Sequence, residues 1–165
     1  MQNLQQVVDF LERNELVLAT AESCTAGLIA SLVAEVPGSG AVMECGYVVY
    51  AVRAKREMLG VSLDTIDSHG LTSEQVAREM ALGALQRCGA DVTLADTGLA
   101  EAEGEMDGVI CFACAMLIDG QPRVLSETRK FAGQRNEVRS KAARHALLSL
   151  ERYVAQLRQT PARQS

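Results

Sequence analysis

Short apolar runs alternate along this chain with stretches of helical spacing, and this alternation limits the folds that the chain can adopt. Residues 16–19 lead into a helical stripe over residues 28–36, and residues 45–50 lead into a short helical pattern over residues 53–59. A third apolar run, residues 90–97, follows a further helical stretch. Strands that are separated by helices favour a parallel sheet with helices on its faces.

The last third of the chain follows a different pattern. Residues 109–118 and 123–130 are two strand-like runs on either side of Asp119-Gly120, which is the turn signal of a β-hairpin. A long helix is predicted from Asn136 onward. We therefore predict an α/β fold, a three-layer α/β/α domain with a mixed, mostly parallel sheet of about five strands that includes one antiparallel member.

The remaining segments fit a single domain that extends over all 165 residues. Residues 4–11 are predicted as a short amphipathic helix and residues 61–71 as a loop. Thr72-x-x-Gln75 has the form of a capping box that opens another helix. The polar tail, residues 158–165, contains a proline and is expected to fray.

The segment between the first strand and its helix, residues 21–27, reads Ala-Glu-Ser-Cys-Thr-Ala-Gly. Thr25 is the predicted N-cap, so that small hydroxyl and thiol side chains would lie beside the free N–H groups of a helix N-terminus. A developing anion is stabilised at such a place. The alternative interpretation is an ordinary capped turn between a strand and a helix.

Functional groups of largely parallel sheets gather at the carboxyl ends of the strands. Three strand ends are therefore expected near one another, namely Ser23, the segment after Tyr50, and Thr97-Gly98. This end of the sheet is the predicted site.

Composition narrows the classes of function. The formal net charge of −5 argues against a nucleic-acid binder, and no apolar run approaches the roughly 20 residues of a membrane span. The residues after Met1 lack the basic-then-apolar build of a secretory signal, so a cytoplasmic location is expected. Cys111-x-x-Cys114 has the spacing of a zinc or redox motif, but residues three apart in a strand face opposite sides. We therefore expect buried structural cysteines and no metal site.

Four separated motifs resemble, in consistent order, those of the CinA C-terminal domain family, the PncC-type nicotinamide-nucleotide amidases. The resemblance extends over about residues 7–157. It consists of residues 21–27, which resemble AESCTGG; Tyr50-x-x-x-x-Lys55 with residues 58–61; residues 68–74; and Phe131-x-Gly133-x-Arg135-x-x-Val138-Arg139.

The resemblance implies hydrolysis of the amide of nicotinamide mononucleotide to nicotinate mononucleotide and ammonia, without a metal or a cofactor. Ser23 would be the nucleophile and Lys55 a general base, which must be neutral to accept a proton. Desolvation, or a nearby cation such as Arg53 or Arg56, would lower the pKa of Lys55. Thr97 would orient Lys55 or relay the proton.

The implied partners are a small-molecule nucleotide substrate and further copies of the chain, as a homodimer or a higher homo-oligomer. Backbone N–H groups around Cys24 and Thr25 are candidate oxyanion donors. Arg135 and Arg139, four apart on one helix face, would hold a phosphate. The full set of substrate-binding candidates is Glu22, Cys24, Thr25, Gly27, Tyr50, Gly98, Arg135 and Arg139.

The chain departs from the family pattern at two places that bear on the substrate. The family's glycine-rich S-G-I-A-G-P-x-G-G loop is replaced by a shorter run that contains Glu101, Glu103 and Glu105, and these carboxylates would repel a phosphate unless they point away. Ala51 and Val52 replace a serine–asparagine pair that would supply two hydrogen-bonding groups. A second hypothesis is therefore an inactive or substrate-shifted paralogue that acts as a binding or assembly protein.

Several site residues also have other interpretations. Lys55 would be a solvated helix lysine, and Arg135 and Arg139 would only pair with surface carboxylates such as Glu137. Cys24, at the start of a helix, would instead be a thiol nucleophile of low pKa.

Overall fold

The computed structural model describes residues 3–160, which form a five-stranded sheet with helices on both faces. The strands are β1 (Leu18–Glu22), β2 (Met43–Val48), β3 (Val92–Gly98), β4 (Val109–Ile118) and β5 (Gln121–Lys130). The helices are α1 (Leu4–Arg13), α2 (Leu28–Ala34), α3 (Val52–Leu59), α4 (Leu63–His69), α5 (Glu74–Arg87), α6 (Arg135–Leu148) and α7 (Leu150–Gln159).

The strand order in the sheet is β2-β1-β3-β4-β5. β1 runs parallel to both of its neighbours, β2 and β3, whereas β4 runs antiparallel to β3 and to β5. Four strands therefore share one direction and β4 opposes them. The prediction of a mixed, mostly parallel sheet with one antiparallel member is confirmed.

The two faces of the sheet carry side chains of different size. Leu18, Leu94 and Phe112 belong to the larger core, which packs against α1, α2, α6 and α7. The opposite face is rich in alanine and is covered mainly by α5. Small side chains let this helix lie close to β1, β3 and β4. Together the two helical layers and the sheet give the predicted three-layer arrangement.

Cys111 and Cys114 both lie on β4 and are buried in different cores. Cys111 belongs to the core under α5, and Cys114 belongs to the larger core on the other face. The prediction that the two thiols face opposite sides of the sheet is confirmed. Two side chains so placed cannot share one metal ion.

Two of the local predictions were wrong. Residues 61–71, predicted as a loop, contain α4, which begins after Ser62 as N-cap and buries no residue fully. Contacts with α5 hold it, since the Glu79 carboxylate accepts the Ser62 N–H at 2.9 Å and the Thr65 hydroxyl at 2.6 Å. The cap of α5 is Ser73, one residue after the predicted Thr72, and its Oγ accepts a main-chain N–H at 3.2 Å.

The C-terminal helical region is divided in two at Ser149, which ends α6 and precedes α7. The predicted frayed tail begins too early, because Arg158 and Gln159 belong to α7. The rest of that prediction, residues 161–165, lies outside the described residues. Among residues 3–160, no helix has the length and apolar character needed to span a bilayer.

A carboxylate on β5 joins the edge of the sheet to the last two helices. Glu127 accepts hydrogen bonds from Tyr153, from His145 and Arg152 at 2.8 and 2.9 Å, and from Arg129 at 2.8 Å. Burial acts to raise the pKa of Glu127, but hydrogen bonds from these four donors outweigh it and hold the pKa at about 2, below the usual 4.5. The carboxylate therefore contributes to the free energy of unfolding wherever it is ionised.

Glu127→Gln is expected to lower the free energy of unfolding at pH 7 by about 3 kcal/mol, because the native pKa lies well below its unfolded value. This contribution is complete above pH 4.5 and is lost as the pH falls toward 2. The difference between parent and variant should therefore shrink as urea unfolding is repeated from pH 6 down to pH 3. The exposed Glu35→Gln is the control. A Glu127→Gln difference that does not change with pH would contradict the linkage.

Candidate active site

The carboxyl ends of the three parallel strands meet at one edge of the sheet. Glu22, the last residue of β1, is the register partner of Val48 on β2 and of Asp96 on β3. Ser23 follows directly after β1, and Tyr50 lies just beyond β2. The predicted proximity of these strand ends is confirmed.

Ser23 and Lys55 are in direct contact at this edge. Lys55 Nζ lies 2.9 Å from Ser23 Oγ and also 2.9 Å from the carbonyl oxygens of Val49 and Tyr50. Lys55 is only 2 % exposed and Ser23 only 8 % exposed. The solvated-lysine interpretation of Lys55 is therefore wrong.

Local chain geometry explains why the amine points inward. α3 begins immediately after Ala51, so Lys55 lies on the first turn of the helix, and its N–H donates to the Ala51 carbonyl. The chain that leaves β2 folds back beneath this turn and presents the carbonyls of Val49 and Tyr50 to Nζ. Gly60, in the left-handed region at φ 73°, ends α3.

Burial lowers the pKa of Lys55 from its usual 10.5. The negative charges of Asp96 and of an ionised Cys24 would act in the opposite direction, but burial dominates. The exposed Arg53, suggested as a neighbouring cation, instead pairs with Glu57 at 2.8 Å on the outer face of α3. Desolvation is thus the source of the lowered pKa.

The turn that carries Ser23 uses two successive residues in the left-handed region. Ala26 has φ 49° and Gly27 has φ 95°, and Gly27 is the N-cap of α2. The prediction of Thr25 as N-cap was therefore wrong. Gly27 suits this conformation because it has no Cβ, whereas Ala26, where the family usually has a second glycine, is strained.

Glu22 occupies the helix N-terminus that was expected to receive an anion from the substrate. Its carboxylate is fully buried and accepts the N–H groups of Gly27, Ile29 and Ala30 at 2.8–3.1 Å. The hydroxyls of Thr20 and Thr25 also lie 2.9 and 2.7 Å from it. The partial positive charge at the start of α2 is therefore already compensated by the Glu22 carboxylate. Glu22 holds the turn rather than facing a ligand.

Cys24 and Thr25 point away from the exposed edge and toward Asp96. The Cys24 thiol lies 3.0 Å from Asp96 Oδ1, which also accepts the Thr25 N–H at 3.2 Å. Burial, together with the neighbouring carboxylate, strongly raises the pKa of Cys24. The hypothesis of a low-pKa thiol nucleophile is therefore wrong. Because the Thr25 N–H is engaged, the Cys24 N–H remains as the candidate oxyanion donor.

Thr97 and Gly98 lie at the end of β3 and serve the packing of this edge. The Thr97 hydroxyl donates to the Leu71 carbonyl at 2.9 Å, while Nζ of Lys55 is oriented by two main-chain carbonyls. The structure therefore does not place Thr97 as the group that orients Lys55. A Cβ on Gly98 would approach the Val109 carbonyl oxygen to 2.6 Å, so the glycine is required by the close passage of β4.

The two arginines predicted to hold a phosphate have different surroundings. Arg139 is half-buried and donates to the carbonyls of Cys24 and Thr25 at 2.8 and 3.1 Å, so it anchors the turn to α6. Arg135 is exposed and donates to the Tyr50 hydroxyl at 3.1 Å. Tyr50 itself is 59 % exposed. Of these three side chains, those of Arg135 and Tyr50 are exposed and that of Arg139 is half-buried.

The acidic loop after β3 lies beside Arg135. Glu101, Glu103 and Glu105 are all exposed. A cleft of about 570 Å³ runs between this loop and the start of α6, and Glu101 and Arg135 are among its lining residues. The loop glutamates therefore face solvent and leave the Ser23–Lys55 contact intact.

Sequence reasoning missed two contributors to the site. Asp96, one residue before the predicted Thr97, is fully buried and contacts both Cys24 and Thr25. The carbonyls of Val49 and Tyr50 were also missed, since main-chain groups leave no signature in side-chain motifs. The position of Asp96 at the end of a predicted central strand was the one signal available for it.

The protein is thus a three-layer α/β protein in which a buried serine–lysine contact lies at the carboxyl ends of the parallel strands. Its candidate nucleophile is on the first strand-to-helix turn. The sequence model of the CinA C-terminal domain matches residues 2–154, so the chain belongs to the CinA family.

Relatives and solved structures agree with this assignment. A CinA-like protein of Chlorobium luteolum is 40% identical over 88% of the chain and 35% of its own length, and one of Mycobacterium marinum is 41% identical over 84% of the chain and 33% of its own length. The chain thus spans about a third of these relatives. The nicotinamide-nucleotide amidohydrolase PncC of Enterobacter agglomerans is 44% identical over 74% of the chain and 76% of its own length.

The fold is shared with crystal structures of CinA superfamily proteins. The protein from Klebsiella pneumoniae 700603 has a TM-score of 0.84 and 31% identity, with 94% of this chain and 99% of that chain covered. The protein from Escherichia coli has a TM-score of 0.80 and 34% identity, with 90% and 89% covered.

Proposed function

We propose that this chain is an amidohydrolase that converts nicotinamide mononucleotide to nicotinate mononucleotide and ammonia, with Ser23 as nucleophile and Lys55 as general base. The observation that carries the proposal is the 2.9 Å contact between Lys55 Nζ and Ser23 Oγ. The substrate comes from the similarity to the PncC amidohydrolase, which bears that activity in its name.

The partners of Lys55 define how its proton can move. Carbonyl oxygens only accept hydrogen bonds, so those of Val49 and Tyr50 must each receive an N–H from Nζ. A neutral amine has two N–H groups and one lone pair. With both N–H groups engaged, the lone pair points at Ser23 Oγ, and the amine can accept the hydroxyl proton there.

The reaction then proceeds in two balanced halves. Ser23 Oγ attacks the carboxamide carbon while its proton passes to Lys55, and the resulting ammonium returns that proton to the leaving nitrogen as ammonia departs. Water, deprotonated by the same amine, then hydrolyses the acyl ester, and Ser23 recovers its proton. The Cys24 N–H is the candidate donor to the oxyanion of each tetrahedral intermediate.

Arg135 is proposed as the contact for the substrate phosphate, because it is an exposed guanidinium beside the aromatic ring of Tyr50 and lines the adjacent cleft. The exposed glutamates of the acidic loop can turn toward solvent and reduce the repulsion of a phosphate. Arg139 is less suited to this role, since Nε and Nη2 donate to the turn that carries Ser23.

Arg135→Ala is expected to raise the KM for nicotinamide mononucleotide by about tenfold with little change in kcat, because it removes binding that is equal in the ground and transition states. Initial rates of ammonia release over a range of substrate concentrations provide the measurement. The exposed Arg53→Ala, on the outer face of α3, is the control. Arg135→Ala should not affect turnover of nicotinamide riboside, which lacks the phosphate. An equal effect on both substrates would exclude phosphate recognition by Arg135.

The proposed function is tested by ammonia release from purified protein across several amide-bearing nucleotides, with nicotinamide mononucleotide expected to be the preferred substrate. The amidohydrolase proposal would be overturned if none of these nucleotides were hydrolysed while the protein had the circular dichroism spectrum of a folded chain and bound the nucleotide measurably. That result would favour the binding protein instead.

A further inference from the structure

Two fully buried carboxyl groups share one hydroxyl behind the candidate nucleophile. Glu22 and Asp96 are register partners on the adjacent strands β1 and β3. Thr25 Oγ1 lies 2.7 Å from Glu22 Oε1 and 2.5 Å from Asp96 Oδ2. Both distances are within the range of O–H···O hydrogen bonds.

The hydrogen-bond contacts around Thr25 are completed when one of these carboxyl groups is protonated. The Thr25 hydroxyl has a single proton and can donate to only one of the two oxygens. The four other contacts of the Glu22 carboxylate are all with donors, which suits an ionised group. Asp96 Oδ1 likewise faces donors, the Cys24 thiol and the Thr25 N–H. Asp96 Oδ2 is thus the one oxygen whose own proton would complete the network.

We propose that Asp96 is a positioning residue for the Ser23–Lys55 pair: its acid form donates from Oδ2 to Thr25, which in turn donates to Glu22, whereas its ionised form accepts from Thr25. In the acid form the turn that carries Ser23 is closed by a continuous chain of hydrogen bonds. The charge of ionised Asp96 raises the proton affinity of Lys55, against the lowering by burial. The kinetic consequence rests on the proposed function, whereas the protonation itself does not.

Electrostatics around the pair agree with this placement. Burial raises the pKa of Asp96 to about 6, with a further increase from the charge of Glu22, and hydrogen bonds from Thr25 and Cys24 oppose the increase. Once ionised, Asp96 raises the pKa of Lys55. The other charged group that faces the turn is the Arg139 guanidinium of α6.

Neutral and ionised Asp96 therefore have opposite effects on the general base. A protonated Asp96 leaves the low pKa that burial gives Lys55 intact, whereas an ionised Asp96 stabilises the ammonium form, which cannot accept a proton. Asp96→Asn imitates the protonated state, because the amide N–H can donate to Thr25 and the amide oxygen can accept the two donors at Oδ1. The variant should fix Lys55 at its lower proton affinity.

The direct test is a 13C NMR titration of the lysine side chains in the full-length protein. The chain has three lysines, Lys55, Lys130 and Lys141, so the Lys55 signal is assigned from its loss in Lys55→Met. At pH values where Asp96 is ionised in the parent, Asp96→Asn removes that charge and is expected to lower the titration midpoint of Lys55 by roughly one pH unit, leaving the other two unchanged. Asp91→Asn, just before the opposite end of the same strand, is the matched control.

Two further variants cover the case in which Asp96→Asn does not fold. Thr25→Val removes the hydrogen bond that lowers the pKa of Asp96, so it should also lower the Lys55 midpoint, whereas Thr25→Ser keeps the hydroxyl and should leave the midpoint unchanged. Infrared spectra at pH 5 should show the carbonyl stretch of a buried carboxylic acid in the parent and in Asp91→Asn, but not in Asp96→Asn.

An unchanged Lys55 midpoint in Asp96→Asn, or an acid band that persists in that variant, would overturn the proposal. In the kinetic measurement, the rising limb of kcat/KM should move to lower pH by the same amount as the NMR midpoint. A shifted midpoint without ammonia release would refute the proposed function and keep the role of Asp96. Ammonia release with an unshifted midpoint would support the proposed function and refute the role of Asp96.

Discussion

Replacing Lys55 by methionine is expected to lower kcat for ammonia release from nicotinamide mononucleotide by about 10³–10⁴-fold, because the Ser23 hydroxyl loses the amine that contacts it. Methionine has a similar length and fills the same buried volume, so the fold should survive. Ser23→Ala should cost at least as much. The double variant should be no slower than the worse single variant, since the two residues act as one unit.

The pH dependence of ammonia release by the parent protein supplies an independent check of the same pair. Burial lowers the pKa of Lys55, so the base form becomes available below the usual 10.5 and kcat/KM should rise with pH through that lowered value. Lys141→Met, at an exposed position on α6, is the matched control and should keep both the rate and the profile. Full activity in Lys55→Met would exclude the serine–lysine mechanism.

The sequence was sufficient to predict the sheet because short apolar runs mark β1 to β4, and the turn signal Asp119-Gly120 marks the hairpin that adds β5. The order of helices and strands then fixes three parallel strands and a terminal hairpin. α4 was missed because it buries no residue and is held by Glu79, a residue of another helix. Local periodicity contains no signal for a helix that exists through tertiary contacts.

The candidate site was predicted in part for a related reason. Ser23 and Lys55 lie in motifs, and the parallel strand order brings those motifs together. The roles of Glu22 and Arg139 were assigned to the substrate, since a sequence does not reveal that a charged side chain is engaged by its own main chain. Asp96 was missed because its partners are 71 and 72 positions away along the chain.

The departures from the family pattern affect the entrance of the site more than its interior. The acidic loop is exposed and lines a cleft with the start of α6, whereas Ser23 and Lys55 are buried. Changes at the entrance alter which substrates are accepted, and changes in the interior alter whether chemistry takes place. We therefore expect substrate preference, rather than the serine–lysine pair, to distinguish this chain from its relatives.

Replacement of Glu22 should lower stability strongly, because its buried carboxylate has donors on both oxygens. In Glu22→Gln, an NH2 group must face either the Ala30 N–H and the Thr20 hydroxyl or the donors at the other oxygen. The NH2 group and the donors around it then face each other, and no water can accept a hydrogen bond from either. The cost is expected to be about 2–4 kcal/mol in the free energy of unfolding.

Urea unfolding followed by circular dichroism measures this loss, and Glu57→Gln is the control, since Glu57 is exposed and pairs only with Arg53 on the helix surface. The control should change stability by less than about 0.5 kcal/mol. The loss in Glu22→Gln should be accompanied by a loss of ammonia release, because the same carboxylate fixes the turn that presents Ser23 to Lys55. A variant as stable as the parent would mean that the start of α2 does not depend on a charged cap. Unchanged activity in a destabilised variant would separate the stability of the turn from its role in presenting the nucleophile.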